Sequence, residues 1–131
     1  MLPGNAMYEI SVRRFFSASH ILEGYTGKCE RLHGHNWEVI AFFQARDLNA
    51  LGLLMDFRKA KDFLDVIIEK LDHTHLNNEP PFGLAKINPS TENIARYIYQ
   101  ELKKSLQSTG VRLSRVTVGE SRDCRASYFE D

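Results

Sequence analysis

Two histidines and a cysteine lie close together in the segment Cys29–His35, and their side chains could hold a metal ion and move protons. If a β-strand begins at His33, side chains two residues apart point to the same face, so His33 and His35 would point to one place. A third histidine, His20, ends a separate strand-like segment. Three imidazoles around zinc leave a fourth position free, which is the arrangement of a catalytic zinc site. Magnesium and calcium prefer oxygen ligands, so three imidazoles suit zinc better, with iron as an alternative metal.

Two segments of alternating hydrophobicity are predicted to be the strands that position these histidines. The first strand runs from about Met7 to His20, with apolar residues at even positions that share the parity of His20. The second runs from about His33 to Ala45, with apolar residues at the odd positions that His33 and His35 continue. The candidate ligands therefore extend the buried faces of both strands, and we expect a metal site at the edge of the core.

Two amphipathic helices are predicted after these strands. The first begins at Asp56 as N-cap and keeps apolar residues at three- and four-residue spacing as far as Leu71. The second begins at Ser90 as N-cap and ends before Gly110. Between the helices, the segment 80–83 contains two prolines and a glycine and is predicted to be a loop.

Two further strands complete the predicted fold, at 111–121 and at about 126–129. The order ββααββ predicts an α+β domain, with a four-stranded antiparallel sheet and two helices on one face. The length of 131 residues suits one domain over 1–131. We expect residues 1–6 to be a loose tail.

The composition limits the classes of function that suit the chain. Its 17 basic and 17 acidic residues give a formal charge of zero, which argues against electrostatic binding to nucleic acid. No apolar segment approaches about 18 residues, so no membrane span is expected. The N-terminus lacks the charged and apolar regions of a secretory signal. Two cysteines make no disulfide framework, and we expect a cytoplasmic protein.

Cys29 is a candidate proton acceptor or nucleophile. A lone cysteine is most often an ordinary buried thiol. Cys29, however, lies in a polar segment beside Lys28 and near the proposed cation, and positive charge favours the thiolate form. Cys124 has no comparable surroundings in the sequence, and we assign it no role.

Asp72 and His73, at the end of the first helix, form a second candidate acid–base pair. Such a pair is often only a solvated helix end, but a carboxylate beside an imidazole also orients it for proton transfer. His75 is a competing histidine, and spacing does not choose between the two. Glu120 lies at every second position with the apolar residues Val116 and Val118, so it is predicted to lie on the buried face of the third strand. A buried carboxylate is costly without a partner, which would be either an internal cation or the N–H groups of a ligand.

Six motifs occur in one order along the chain: Phe16–His20, Cys29–His35, Gly52–Phe57, Leu71–Asn77, Pro89–Asn93 and Gly119–Ser121. With these motifs the chain resembles the 6-pyruvoyltetrahydropterin synthase superfamily over nearly everything from Tyr8 to Tyr128. Three residues separate Cys29 from His33, which resembles the 6-carboxytetrahydropterin synthase branch of queuosine biosynthesis. The pyruvoyl-forming branch usually has five.

The resemblance implies the tunnelling fold, in which sheets from several subunits close into a barrel. It also implies a homohexamer built from two trimers, with active sites between subunits. Barrel closure would remove the exposed edges of a four-stranded sheet, which are otherwise a liability.

The resemblance also assigns roles to residues by position. The zinc ligands would be His20, His33 and His35. Cys29 would accept a proton, and Asp72 with His73, from the adjacent subunit, would form a proton relay. Glu120 would hold the amino-pyrimidine edge of the pterin and join that relay. The substrate contacts would be Glu120, Ser90 and Thr91.

The implied reaction converts 7,8-dihydroneopterin triphosphate to 6-carboxy-5,6,7,8-tetrahydropterin and releases acetaldehyde and triphosphate, which makes the chain a carbon–carbon lyase. Two alternatives stay open. A 6-pyruvoyltetrahydropterin synthase would share the site but eliminate only triphosphate. A non-enzymatic module that binds pterin or metal would not depend on Cys29 or His73.

Overall fold

A five-stranded sheet carries three helices in this computed structural model, which describes residues 3–24 and 31–131. The strands are β1 (Tyr8–His20), β2 (His33–Ala45), β3 (Thr74–His75), β4 (Arg112–Ser121) and β5 (Cys124–Tyr128). The helices are α1 (Phe57–Leu71), α2 (Pro80–Gly83) and α3 (Thr91–Ser105), and a 3-10 turn spans Leu76–Asn78. The sheet order is β3-β1-β2-β4-β5. All pairs are antiparallel except β1 and β3, which are parallel.

The register of β1 against β2 brings the candidate metal ligands together. His20, the last residue of β1, pairs with His33, the first residue of β2, and Ala18 pairs with His35. β4 pairs with β2 on its other side and ends beside the same histidines, where Glu120 lies. Three strand ends therefore meet at one corner of the sheet.

One face of the sheet forms the core with α1 and α3. Alternate residues of β2 are fully buried, as period-two side chains on a covered face should be: Trp37, Val39, Ala41 and Phe43. Both predicted N-caps are confirmed, since Asp56 accepts a hydrogen bond from the amide of Arg58 and Ser90 accepts one from the amide of Asn93. The α+β class is confirmed.

The prediction of four strands and two helices was incomplete, and the prediction of a loop at 80–83 was wrong. Pro80 and Pro81 occupy the first turn of α2, where a missing N–H has no intrahelical partner to lose. β3 has two residues, too few to show any periodicity in a sequence. Both elements lie between α1 and α3, and β3 pairs with the end of β1.

The single chain leaves its sheet open. β3 covers only the last part of one edge, beside Ala18 and Ser19, and β5 forms the other edge. Closure into a barrel stays a prediction. Within the part of the chain that the structure describes, no helix is both long enough and apolar enough to cross a membrane. Residues 3–6 make a turn, and the guanidinium of Arg46 donates to the carbonyl of Gly4.

Candidate metal centre and acid–base groups

Four side chains converge at the corner where β1, β2 and β4 end. The potential ligand atoms of this cluster lie within 4.8 Å of one another, and the members are His20, His33, His35 and Glu120. His20 is almost fully buried, and the other three are partly buried. The structure thus brings together the three histidines expected to bind zinc, with a carboxylate beside them.

Backbone carbonyls fix the rings of two of these histidines. Nδ1 of His20 lies 2.8 Å from the carbonyl oxygen of Pro89, and Nδ1 of His33 lies 2.7 Å from that of Arg31. A carbonyl only accepts, so each Nδ1 carries a hydrogen and donates it. In a neutral imidazole with Nδ1 protonated, Nε2 presents a lone pair. This orientation by an outer partner is typical of metal-binding histidines.

The two Nε2 atoms of His20 and His33 face each other at 2.8 Å. Two lone pairs at that distance repel unless a cation lies between them, either a proton or a metal ion. Burial lowers the pKa of His20, with His33 and His35 adding to the effect, while the carbonyl of Pro89 opposes it. The buried ring therefore resists protonation, and the donor set fits a metal ion better than a proton.

His35 provides a third nitrogen without a hydrogen-bond partner. Its Nε2 is buried and lies 3.1 Å from Oε1 of Glu120, but the angle is not that of a hydrogen bond. Burial lowers the pKa of His35, and the carboxylate of Glu120 partly offsets that effect. Buried polar atoms are rarely left without a partner, so an orphaned nitrogen beside two facing lone pairs favours a cation.

Trp37 forms an apolar wall behind the cluster. The sequence placed Trp37 on the buried face of β2 but did not predict that it contacts the histidines. Its ring makes edge contacts with the rings of His20 and His35, at centroid distances of 4.9 and 5.0 Å. The indole N–H donates to the carbonyl of Ala18 at 3.2 Å. This fully buried side chain excludes water from one side of the cluster and limits rotation of both imidazoles.

Glu120 is held in place from α3. The hydroxyl of Thr91 donates to Oε2 of Glu120 at 3.2 Å, while Oε1 faces His35. About a third of the Glu120 side chain is exposed, so it is less buried than its alternation with Val116 and Val118 predicted. The hydroxyl of Ser90 accepts from the amide of Asn93 and caps α3. In this structure Ser90 and Thr91 therefore position α3 and Glu120, and their predicted contact with substrate stays a prediction.

Asp72 and His73 form a fixed pair at the end of α1. Oδ2 of Asp72 lies 3.0 Å from Nδ1 of His73, and Oδ1 accepts from the amide of Ser17 at 2.8 Å. The amide of His73 donates to the carbonyl of Ser17 at 2.6 Å, and the backbone of His73 is left-handed with φ of 59°. The hydrogen bond from the Ser17 amide, with smaller effects from His73, lowers the pKa of Asp72. An ionised Asp72 favours a hydrogen on Nδ1 of His73 and leaves Nε2 as a base.

The structure distinguishes His73 from His75, which the sequence could not do. The side chain of His73 is 81% exposed and carries the carboxylate partner. His75 is half-buried and its Nδ1 lies 2.9 Å from the hydroxyl of Ser19. His73 hydrogen-bonds at Ser17, three residues before His20, or about 10 Å along the strand. His73 is not a member of the cluster of potential metal ligands, but it lines the same open pocket as His35. Cys29 and Lys28 lie outside the described residues.

Comparison with known proteins places the chain among the pterin synthases. The family described as 6-pyruvoyl tetrahydropterin synthase matches residues 9–131. The chain belongs to this family. A 6-carboxy-5,6,7,8-tetrahydropterin synthase of Synechocystis is 34% identical over 120 residues, which covers 87% of each chain. The human 6-pyruvoyl tetrahydrobiopterin synthase is 32% identical over 111 residues, 75% of this chain and 76% of the human one.

Solved structures support the fold of the family. The 6-pyruvoyl tetrahydropterin synthase of Caenorhabditis elegans superposes with a TM-score of 0.83, covering 96% of this chain and 97% of that one at 24% identity. The family resemblance expected from the six motifs is confirmed. Several relatives bear the 6-carboxy name, and others bear the 6-pyruvoyl name.

Proposed function

We propose that this chain is a zinc-dependent 6-carboxytetrahydropterin synthase that converts 7,8-dihydroneopterin triphosphate to 6-carboxy-5,6,7,8-tetrahydropterin, acetaldehyde and triphosphate in queuosine biosynthesis. The observation that carries the proposal is the facing pair of Nε2 lone pairs, with the orphaned Nε2 of His35 beside them. Zinc matches this donor set because it accepts imidazole nitrogen and leaves a position for substrate.

The spacing between Cys29 and His33 supports the carboxy-forming reaction over the pyruvoyl-forming one. Three residues lie between them, as in the carboxy branch that the sequence resembles. The Synechocystis relative, named for the carboxy product, is slightly more similar than the human one and is covered over more of its length. The human relative keeps the pyruvoyl-forming synthase as the second candidate function.

Zinc held by His20, His33 and His35 would lower the pKa of a coordinated substrate hydroxyl and stabilise developing negative charge. Glu120 would accept hydrogen bonds from the amino-pyrimidine edge of the pterin, and Thr91 would hold the carboxylate at the required angle. Cys29 would accept the proton that leaves carbon. These groups together would bind the substrate, orient it and take its proton.

The Asp72–His73 pair would supply the second proton-transfer group, and we propose that it acts on the site of a neighbouring subunit. The high exposure of the His73 side chain, which leaves it accessible to a second copy of the chain, supports this arrangement. Asp72 keeps Nδ1 of His73 protonated, so Nε2 could take or return a proton at the pterin side chain. Cys29 and His73 would then act on opposite sides of the substrate.

The open sheet supports assembly with other copies of the chain. The unpaired backbone of most of β1 and of β5 would be satisfied if sheets from several subunits joined into a barrel. We propose a homohexamer made of two trimers, a single domain over residues 1–131, and a cytoplasmic location. No nucleic-acid or membrane partner is proposed.

Product identification by mass spectrometry, with metal content measured on the same sample, tests the proposal. Incubation with 7,8-dihydroneopterin triphosphate should give 6-carboxytetrahydropterin and one equivalent of acetaldehyde. A product that keeps all three side-chain carbons would instead identify the pyruvoyl-forming synthase.

Two variants separate an enzyme from a binding module. Cys29→Ala and His73→Ala should each lower turnover by about 10²–10⁴-fold if the residues transfer protons. Recovery of intact substrate with the unaltered protein at full zinc occupancy would refute the enzymatic proposal.

A further inference from the structure

The face of the sheet that the helices leave uncovered carries a row of four paired residues. Phe15 of β1 pairs with Glu38 of β2. Glu38 pairs in turn with Gly119 of β4, which pairs with Arg125 of β5. Because side chains alternate along β2, Glu38 lies on the face opposite to His35. A cavity of about 360 Å³ opens on this row, where Gly119 contributes no side chain to fill it.

Glu38 holds two guanidinium groups at this cavity. Its Oε2 accepts a hydrogen bond from Arg13 at 3.1 Å. Its Oε1 accepts from Nε of Arg125 at 3.0 Å and lies 2.8 Å from a terminal nitrogen of the same guanidinium. The Glu38 side chain is only 13% exposed, whereas both arginine side chains are largely exposed. An arginine offers five N–H donors, so these contacts fix both groups and leave donors for a ligand.

Gly119 lets Arg125 reach Glu38. Both residues pair with Gly119, one on each side, so the arginine side chain has to cross the glycine to meet the carboxylate. A Cβ at position 119 would lie 3.3 Å from Cγ and 3.5 Å from Nε of Arg125. The first of these contacts is tight, so a side chain at this position would push Arg125 away from Glu38. The glycine, the arginine and the glutamate therefore form one fitted arrangement.

The lining of the cavity has a net positive charge. Arg122, in the turn between β4 and β5, adds a third guanidinium to those of Arg13 and Arg125. Among the described residues that line the cavity, Glu38 is the only acid; Asp123 follows Arg122 in the chain but does not line it. A planar guanidinium forms paired, charge-assisted hydrogen bonds with phosphate oxygens. Three of them around one cavity therefore favour an anion that carries several phosphate groups.

We propose that this cavity binds a polyphosphate anion through its three arginines, two of which Glu38 positions. The ligand has two possible sources with the same chemistry. Asn36 lines both this cavity and the open pocket of His35 and His73, so the triphosphate chain of a substrate in that pocket could extend into the cavity. Free triphosphate is the other source. The first source rests on the proposed function, whereas the binding of a polyphosphate does not.

The test is calorimetric titration of the full-length, zinc-loaded protein with triphosphate in about 0.15 M salt. Arg13→Gln and Arg125→Gln each remove one guanidinium from the cavity and keep a polar side chain. Arg115→Gln is the matched control, because Arg115 lies on the same face with its guanidinium 4.0 Å from the ring centroid of Phe42. Arg115 is four residues from Gly119 along β4, about 13 Å. That separation exceeds the screening length of about 8 Å at this salt concentration.

We expect each cavity variant to raise the Kd for triphosphate by about tenfold or more, the cost of losing hydrogen bonds to a charged group. The Arg115→Gln control should stay within about twofold of the parent. Inorganic phosphate should bind more weakly than triphosphate, because it meets fewer of the guanidiniums. Triphosphate also binds zinc, so the titration is repeated with His33→Ala, which should keep the affinity of the parent. Zinc content is measured after each titration.

The KM for dihydroneopterin triphosphate separates the two sources. A KM about tenfold higher in Arg125→Gln, with zinc content unchanged, identifies the triphosphate chain of the substrate as the ligand. An unchanged KM with weaker triphosphate binding identifies the free anion.

Two results would overturn the proposal. One is a parent that does not bind triphosphate, or cavity variants that bind it as tightly as the Arg115→Gln control. The other is loss of binding in His33→Ala, because the anion would then be held at the metal centre. The titration needs no turnover, so it decides the question even if the parent protein forms no pterin product.

Discussion

Asp72→Asn is the substitution that tests the acid–base assignment most sharply. Asparagine can keep its Oδ1 on the amide of Ser17, so the end of α1 should stay in place. Its other terminal atom then becomes an NH₂ group 3.0 Å from Nδ1 of His73. A donor at that position requires Nδ1 to accept, which moves the ring hydrogen to Nε2 and removes the base that faces outward.

The expected magnitude follows from that change of tautomer. Proton transfer by a positioned side chain contributes about 10²–10⁴-fold to rate, so kcat should fall within this range with KM little changed. The measurement is steady-state turnover of dihydroneopterin triphosphate at pH 7, with zinc content and melting temperature recorded for each sample.

Asp65→Asn provides a matched control on the same helix. Asp65 accepts two hydrogen bonds from Arg14 at 2.7 and 3.2 Å, so its replacement also removes a paired carboxylate from α1. This variant should lower the melting temperature slightly and leave kcat unchanged. The assignment is wrong if Asp72→Asn retains turnover within a few-fold of the parent, or if the two variants lose equal activity.

Three further outcomes are expected. Zinc at 100 times its Kd should stabilise the folded protein by about 2.7 kcal/mol, so its removal by a chelator should lower the melting temperature by about 10 °C. The His33→Ala variant, measured by the same thermal scan, should show no such difference with and without zinc. Thr91→Val should raise KM for the pterin about tenfold or more, as expected for losing a hydrogen bond to the charged Glu120, while zinc content stays constant. In the zinc-free protein, burial lowers the pKa values of His20 and His35, so the unfolded state binds more protons than the folded state. The free energy of unfolding should therefore decrease as pH falls through 6.5. Denaturant titrations at a series of pH values measure this dependence, and the opposite slope would contradict the effect assigned to burial of the two rings.

The sequence predicted the elements whose residues repeat with a clear period. The apolar residues of β1 and β2 recur at every second position, interrupted in β1 by Arg14, so the approximate bounds and the shared face of His33 and His35 followed from this period. The caps at Asp56 and Ser90 followed from side chains that satisfy a free amide at a helix start. At these places the local residue types alone were sufficient to predict the structure.

Other features depend on contacts between distant segments and had no local signal. β3 is a strand only because Thr74 and His75 lie beside the end of β1. The hydrogen bonds of Asn77 to the backbone of Ile21 and of Asn88 to the backbone of Glu23 join residues 56 and 65 positions apart. Proline near a glycine predicted a loop at 80–83, yet the first turn of a helix tolerates the same residues. Glu120 was placed on the correct strand, but its contact with His35 required the sheet register.

X-ray absorption at the zinc edge of the purified, zinc-loaded protein tests the histidine cluster most directly. The account predicts one zinc per chain, nitrogen or oxygen scatterers at about 2.0–2.1 Å, and the multiple-scattering signal of three imidazoles. Sulfur at about 2.3 Å would mean that a cysteine thiolate is a zinc ligand, and would contradict the account. Zinc bound without the imidazole signal would contradict it equally, because His20, His33 and His35 would then not share an ion.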